Sequence, residues 1–242
     1  MKTVKYVILL SLIALIINSC KKEKGLSDEE IAEGLKSALV VGTDSSSTKL
    51  HKTDGYFGDA LVKILLPPDA HGVIDHQNEP LVISLGLDKK IDTLILSLNR
   101  SAEDAAIEAK PIFVDAITSI TITDAKDILY GTDSAATVYL KIKTFTSLFN
   151  VFMPEVKNSL DKPLVGGTSA NEAWQELINL YNPLCGGITG WLPITTVTLD
   201  TFATNKGLDG LFLKISDEEK SIRKDPAARV NDILKRVFGE LD

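Results

Sequence analysis

Apolar positions recur along most of this chain at helical spacing, and the breaks between the runs carry glycine, proline or a capping residue. Ser27 with Glu30 three residues on is a capping-box pattern, and Ile31, Leu35 and Leu39 then follow at four-residue steps, which predicts an amphipathic helix. Past Gly42 the stretch DSSSTKLHK is poor in helix formers, so propensity favours a stop there while the spacing leaves continuation open. LVKILLP is a short β-like run ended by Pro67 and Pro68. Residues 81–120 read as a long helical segment. Its seam is Leu87, Ile91, Leu94, Ile95, Leu98, Ala102, Ala105 and Ala106, with a kink or division near Lys110 because Pro111 lacks an N–H.

Further on, ITITDAKDILYG reads as a short helix capped by Thr123, with Asp124 in the first turn and Gly131 at its end. A second apolar helix restarts after Asp133, and Pro154 is expected to break or kink it. Ser169 and Glu172 form another capping box. The glycine-rich loop PLCGGITGWLP comes next. Phe202, Leu208, Leu211, Phe212 and Ile215 then make a helical stripe, and SDEEKSIRKD reads as a solvated face. Asp225 and Pro226 are expected to be the N-cap and first residue of the last helix, ending at Gly239. The pattern predicts a single all-α, bundle-like domain over residues 28–242, with roughly seven to nine helices and short connections.

The first residues change the picture of where this domain resides. Lys2 and Lys5 precede the apolar run YVILLSLIALII, which is too short to span a bilayer and has the anatomy of a signal peptide. Ile17, Ser19 and Cys20 resemble a bacterial lipobox, with Asn18 departing from the usual small or apolar residue. That resemblance implies a signal peptide over 1–19, lipidation of Cys20 and a polar tether over 20–27. The expected partner is then a membrane, reached through the lipid on Cys20. An aspartate after the lipidated cysteine would resemble an inner-membrane retention signal and an acid-rich stretch a surface-export signal; CKKEK resembles neither, which implies the outer membrane and its periplasmic face, with surface exposure as the alternative. Of the 26 basic residues, all but Lys2 and Lys5 remain in the mature chain. They face 33 acidic residues and leave a net charge of −9, which argues against nucleic acid as a partner.

The blocks LNRSAEDAAIEAKPIFVDAITSITITDAKDILYGTDSAATVYL and KGLDGLFLKISDEEKSIRKDPAARVNDILKRVFG together resemble the bacterial family catalogued as domain of unknown function 4197 (DUF4197), over about residues 29–239. The resemblance implies an exported or lipoprotein helical domain of Gram-negative bacteria. It brings no activity, so no catalytic residue can be carried over.

Candidate chemistry is sparse. There is no His-Glu-x-x-His, no Cys-x-x-Cys, no phosphate loop and no Gly-x-Ser-x-Gly elbow, so neither a metal nor a cofactor is expected. Ser-x-x-Lys occurs at Ser46–Lys49 and Ser159–Lys162 without supporting motifs. His71 and His76 share a polar loop with Asp69 and Asp75. Cys185 is the only cysteine apart from Cys20, and reads as a small buried hydrophobe rather than a nucleophile. The remaining candidates are charged or polar residues among apolar ones: Asn99, Arg100, Glu103 and Lys110, and near the C-terminus Glu219, Arg223, Asp225 and Arg229. They read either as ion pairs that fix helix register or as a polar pocket in which Arg100 grips a carboxylate or phosphate. Three functions follow as expectations. The first is a non-catalytic binding or scaffold lipoprotein, the second a small-molecule or lipid binder around Arg100, and the third a hydrolase using Cys185 or the histidine loop.

Overall fold

A computed structural model of the chain describes residues 25–119, 121–123, 125–196 and 198–242. The expected signal peptide, Cys20 and the start of the tether lie outside the described residues, as does Asp124. Among the described residues there are ten α-helices: α1 (Asp28–His51), α2 (His71–Asp75), α3 (Pro80–Ser84), α4 (Leu87–Ala106), α5 (Ala109–Ser119), α6 (Ala125–Leu129), α7 (Ala135–Leu160), α8 (Ala170–Tyr181), α9 (Asp200–Lys224) and α10 (Asp232–Phe238). No β-strand occurs among the described residues, and none of their helices is long and apolar enough to cross a membrane. The all-α expectation is met.

Local chemistry sets most of the helix ends. Ser27 and Glu30 close the capping box of α1, and Ser169 and Glu172 that of α8. Asn231 accepts from the Leu234 amide to start α10. Gly86, at φ 67°, turns the chain between α3 and α4, a conformation that glycine adopts without a Cβ penalty.

Helix α1 is the centre of the packing: α4, α5, α6, α9 and α10 all lie against it. Helix α7 packs on α4, α5 and α9, and α8 on α4. A contiguous core runs through these contacts, with Trp174, Tyr181, Phe113, Phe152 and Phe238 fully buried.

The small residues in the second half of α1 explain why the helix does not stop near Gly42. Gly42, Thr43, Ser46 and Ser47 are buried, and Gly42 faces Ile215 and Glu218 of α9. The Thr43 hydroxyl donates to the Leu39 carbonyl (2.6 Å). Packing overrides weak propensity here, as it commonly does in globular helices.

Proline acts differently at its two helical sites. Between α4 and α5 the Ile107 carbonyl, the normal partner of an amide at position 111, accepts from Lys110 instead (3.2 Å), and the chain divides as expected. Pro154, by contrast, sits inside a continuous α7. Pro154 and Asn150, whose carbonyl loses its partner, are both exposed, so water can supply the missing bond.

The segment read as β-like starts in a turn from Asp59 and pairs with no strand among the described residues. Val62, Ile64 and Leu66 are buried while Leu61 and Leu65 are exposed, which is the period of a strand. The side chain of Asn99 stands in for a partner strand. Its Oδ1 accepts from the Ile64 amide (2.8 Å) and its Nδ2 donates to the Ile64 carbonyl (2.7 Å). Asn182 treats Ile194 the same way, at 2.8 and 2.9 Å. The glycine-rich loop is further held by Asp69, which accepts from the Thr196 amide (2.5 Å), and by Trp191, stacked on His76 with ring centroids 4.3 Å apart.

Helix α10 reaches α1 only because residue 34 has no side chain: a Cβ there would stand 2.6–2.8 Å from Val237. Gly34→Ala should therefore lower the unfolding free energy by about 1–3 kcal/mol, although alanine is the better helix former. Adding Val237→Ala to Gly34→Ala should restore part of that loss. Urea unfolding of the two variants against wild type measures both effects.

Candidate functional site: two clusters of buried charge

The first cluster is built where α9 passes the junction of α6 and α7. Glu219 is 1% exposed and Arg223 5% exposed, one helical turn apart on α9. The stretch expected to be a solvated face thus turns two of its charges inward. The Glu219 carboxylate accepts from the amides of Ala136 (3.0 Å) and Thr137 (2.7 Å) and from the Thr137 hydroxyl (2.7 Å). Those are first-turn amides of α7, whose own N-cap, Ser134, makes no side-chain capping bond. Arg223 donates Nε to Glu219 (2.8 Å), and its guanidinium donates to the carbonyls of Leu129 (2.5 Å) and Ile128 (3.0 Å) at the end of α6. An anion at a helix N-terminus and a cation at a helix C-terminus are both stabilised by the helix dipoles.

Arg229 continues the chain of contacts. It donates to the Ile222 and Arg223 carbonyls in the last turn of α9 and makes a bidentate pair with Asp242 (2.6 and 2.7 Å). The Arg229 guanidinium holds the Asp242 carboxyl below the usual carboxylate range. Asp225 takes another role, accepting from the Ala227 amide (2.9 Å) to cap a single 3-10 turn at Pro226–Ala228. The helix proper begins later, at Asp232.

The second cluster has the same logic on α4. Glu103, also buried, accepts from the amides of Tyr56 (3.2 Å) and Phe57 (3.1 Å) and from Arg100 Nη1 (2.6 Å). Arg100 Nη2 donates to Asp54 (2.7 Å), a residue at φ 64° in the turn after α1. Asn99 holds Ile64 as described above. The three neighbours Asn99, Arg100 and Glu103 therefore clamp residues 54–64 onto α4. Lys110 does not join them: it pairs with Asp44 and donates to Thr48 (3.3 Å), linking α5 to α1.

The other sequence candidates are scattered. Cys185 is a free, half-buried thiol that donates to the Tyr181 carbonyl (3.5 Å), and burial pushes its ionisation upward. His71 is exposed and His76 is stacked on Trp191. Ser159 donates to Asp104 (2.8 Å), which also takes Lys162 (2.5 Å). Among the described residues no group of three or more His, Cys, Asp or Glu is placed to hold a metal ion. Asp54 and Asp242 carry charge in the two clusters yet had no signal in the sequence. Both lie outside regular helix, where spacing says nothing about partners.

Comparison with known proteins agrees with the resemblance read from the sequence. A family model described as "Protein of unknown function (DUF4197)" matches residues 25–239. No curated protein and no solved structure matches the chain.

Removing Arg223 would leave the Glu219 carboxylate buried without its counter-charge. Arg223→Met should lower the unfolding free energy by about 3–5 kcal/mol. Adding Glu219→Gln, which keeps an acceptor for α7 but carries no charge, should recover part of the loss. An unchanged urea midpoint in Arg223→Met would show that the pair is not architectural.

A pH dependence follows from Asp59. The Lys214 ammonium (2.5 Å) and then the Leu61 amide (3.0 Å) hold its carboxyl below the usual range. A carboxylate depressed in the folded state adds stability above its unfolded value, and loses it as pH falls. The urea midpoint should be flat above about pH 5 and fall below about pH 4, with a smaller fall in Asp59→Asn.

Proposed function

The chain belongs to the DUF4197 family, whose description carries no activity, and from its geometry we propose that it is a non-catalytic helical scaffold of the bacterial envelope. It is held at the membrane by lipid on Cys20 and faces the periplasm from the outer membrane. One observation supports the non-catalytic reading above the rest: the charges that could have formed a pocket are bonded to backbone groups of neighbouring elements or to one another. Glu219 takes three donors from α7, Glu103 takes two amides of the 54–58 turn, and Arg100 is engaged by Glu103 and Asp54. Arg100 already has two carboxylates beside it, so a further carboxylate or phosphate would have to share its guanidinium with both. A nucleophile is equally poorly supported, since Cys185 is half-buried with its ionisation pushed upward, which disfavours the reactive thiolate.

Anchoring and scaffolding are tested separately. Wild-type protein should partition with membranes and incorporate a radiolabelled fatty acid, and Cys20→Ser should do neither as a processed chain. A Cys20→Ser protein that is still cleaved and acylated would defeat the anchor. Native mass spectrometry of purified wild type should show no co-purifying small molecule. A bound species lost in Arg100→Ala would replace the scaffold with a ligand-binding module.

A further inference from the structure

One face of the molecule is apolar where neither core nor cluster requires it. Helix α9 and the segment 61–68 form the walls of an open groove of about 530 Å³. Gly210 permits this arrangement, because a Cβ there would stand 2.7 Å from the Tyr56 ring and 3.4 Å from Val62. The groove is rimmed by side chains that point outward: Leu61 is 75% exposed, Leu65 54% and Leu213 37%. His71 lines the same groove, and its neighbour Gly72 backs onto the carbonyl of Leu192 in the glycine-rich loop. That loop carries Leu192 at 78% exposure and Ile188 fully exposed. Its turns use Gly186, Gly187 and Gly190 at positive φ.

Around the groove, though not beside the loop, where Asp75 lies near Tyr181, the charge runs against that of the whole chain. Asp59 and Asp209 are neutralised by Lys214 and Lys141. Lys63 lies over the Phe57 ring, and neither it nor Lys206 has a carboxylate partner among the described residues. Two cations without carboxylate partners therefore flank a set of protruding leucines and an isoleucine. Protruding apolar side chains with basic neighbours are the composition that enters the headgroup and upper acyl region of a bilayer. Isolated exposed leucines are ordinary, but Leu61, Leu65 and Leu213 together rim one groove.

We infer that this face, centred on Leu61, Leu65 and Lys206 and extended by the loop of Ile188 and Leu192, docks onto an anionic phospholipid surface. The contact is distinct from the lipid on Cys20. It lies at the far end of α1 from Gly25, and would set the orientation of a tethered molecule by laying it along the bilayer. It goes beyond the proposed function and does not depend on how the N-terminus is processed.

The purified full chain is mixed with two sets of vesicles, one of phosphatidylethanolamine with phosphatidylglycerol and one of phosphatidylcholine alone. Amide hydrogen exchange is then followed by mass spectrometry. Exchange over residues 59–66 and 186–192 should slow with the anionic vesicles only, and should slow less at high salt. Leu61→Asp with Leu65→Asp, two exposed positions at which the fold has no stake, should abolish the protection. Lys206→Ala should weaken vesicle affinity about fivefold, the effect of one lysine near an anionic surface. Protection that is absent in wild type, or survives in the double variant, overturns the inference. So does equal protection by both vesicle types, or protection that tracks self-association in sedimentation, which would assign the face to a second copy of the chain. Loss of membrane partitioning in Cys20→Ser with this protection retained would separate a failed docking face from a failed anchor.

Discussion

The bond between the Glu219 carboxylate and the first amides of α7 is the constraint around which the rest is arranged. An α-helix of 26 residues presents orphan amides at its N-terminus. Here they are buried, and Ser134 does not cap them. A carboxylate from α9 satisfies them instead, and Arg223 then balances the charge while closing the carbonyl end of α6. Three helices are fixed in direction and register by one pair of side chains. A buried ion pair is weak grounds for stability in itself, but it is a strong specification of geometry. Sliding α9 by one turn would leave amides and carbonyls unpaired at two helix ends.

The second cluster repeats that solution where the chain is not helical. Residues 52–66 connect α1 to the rest without regular structure, and buried irregular backbone needs partners. Glu103 supplies acceptors for Tyr56 and Phe57, while Asn99 supplies both a donor and an acceptor for Ile64. Asn182 does the same for Ile194. Polar side chains of regular helices thus do the work that a neighbouring strand would do in a mixed fold. This accounts for an all-α protein that accommodates extended segments with strand-like alternation of burial.

Much of this was legible in the residues, for reasons that also mark where legibility ends. Capping boxes at Ser27 and Ser169 and the seam of α4 are local patterns, and they appear where the spacing put them. Pro111 divides a helix as its chemistry dictates. Pro154 does not, because its effect depends on whether water can reach the freed carbonyl, and that is a property of the packed molecule. The second half of α1 is weak by propensity, and continues because α9 needs small residues opposite Ile215. The charged positions stand out among apolar neighbours, but spacing identifies a partner only where both residues lie on one helix. Glu219 and Arg223 do pair across one turn; Arg229 instead finds Asp242, and Lys110 finds Asp44. Spacing along a helix encodes neighbours on that helix and carries nothing about the element lying across from it.

The division of labour between inside and outside follows from the same bonds. Asn99, Arg100, Glu103, Glu219, Arg223 and Arg229 are all committed to backbone or to one another, and a residue so bound cannot also adapt to a ligand without unpairing a buried group. The segments around α2 and α3 and the glycine-rich loop after α8 are pinned at a few points, by Asp69, Asn182 and the Trp191 stack. Between those pins they hold apolar side chains out to solvent. Leu61 and Leu65 stay exposed on the groove that Lys63 and Lys206 also line, and Ile188 and Leu192 stay exposed on the loop. A helical body fixed by buried polar bonds therefore positions these apolar side chains without using them in its own core.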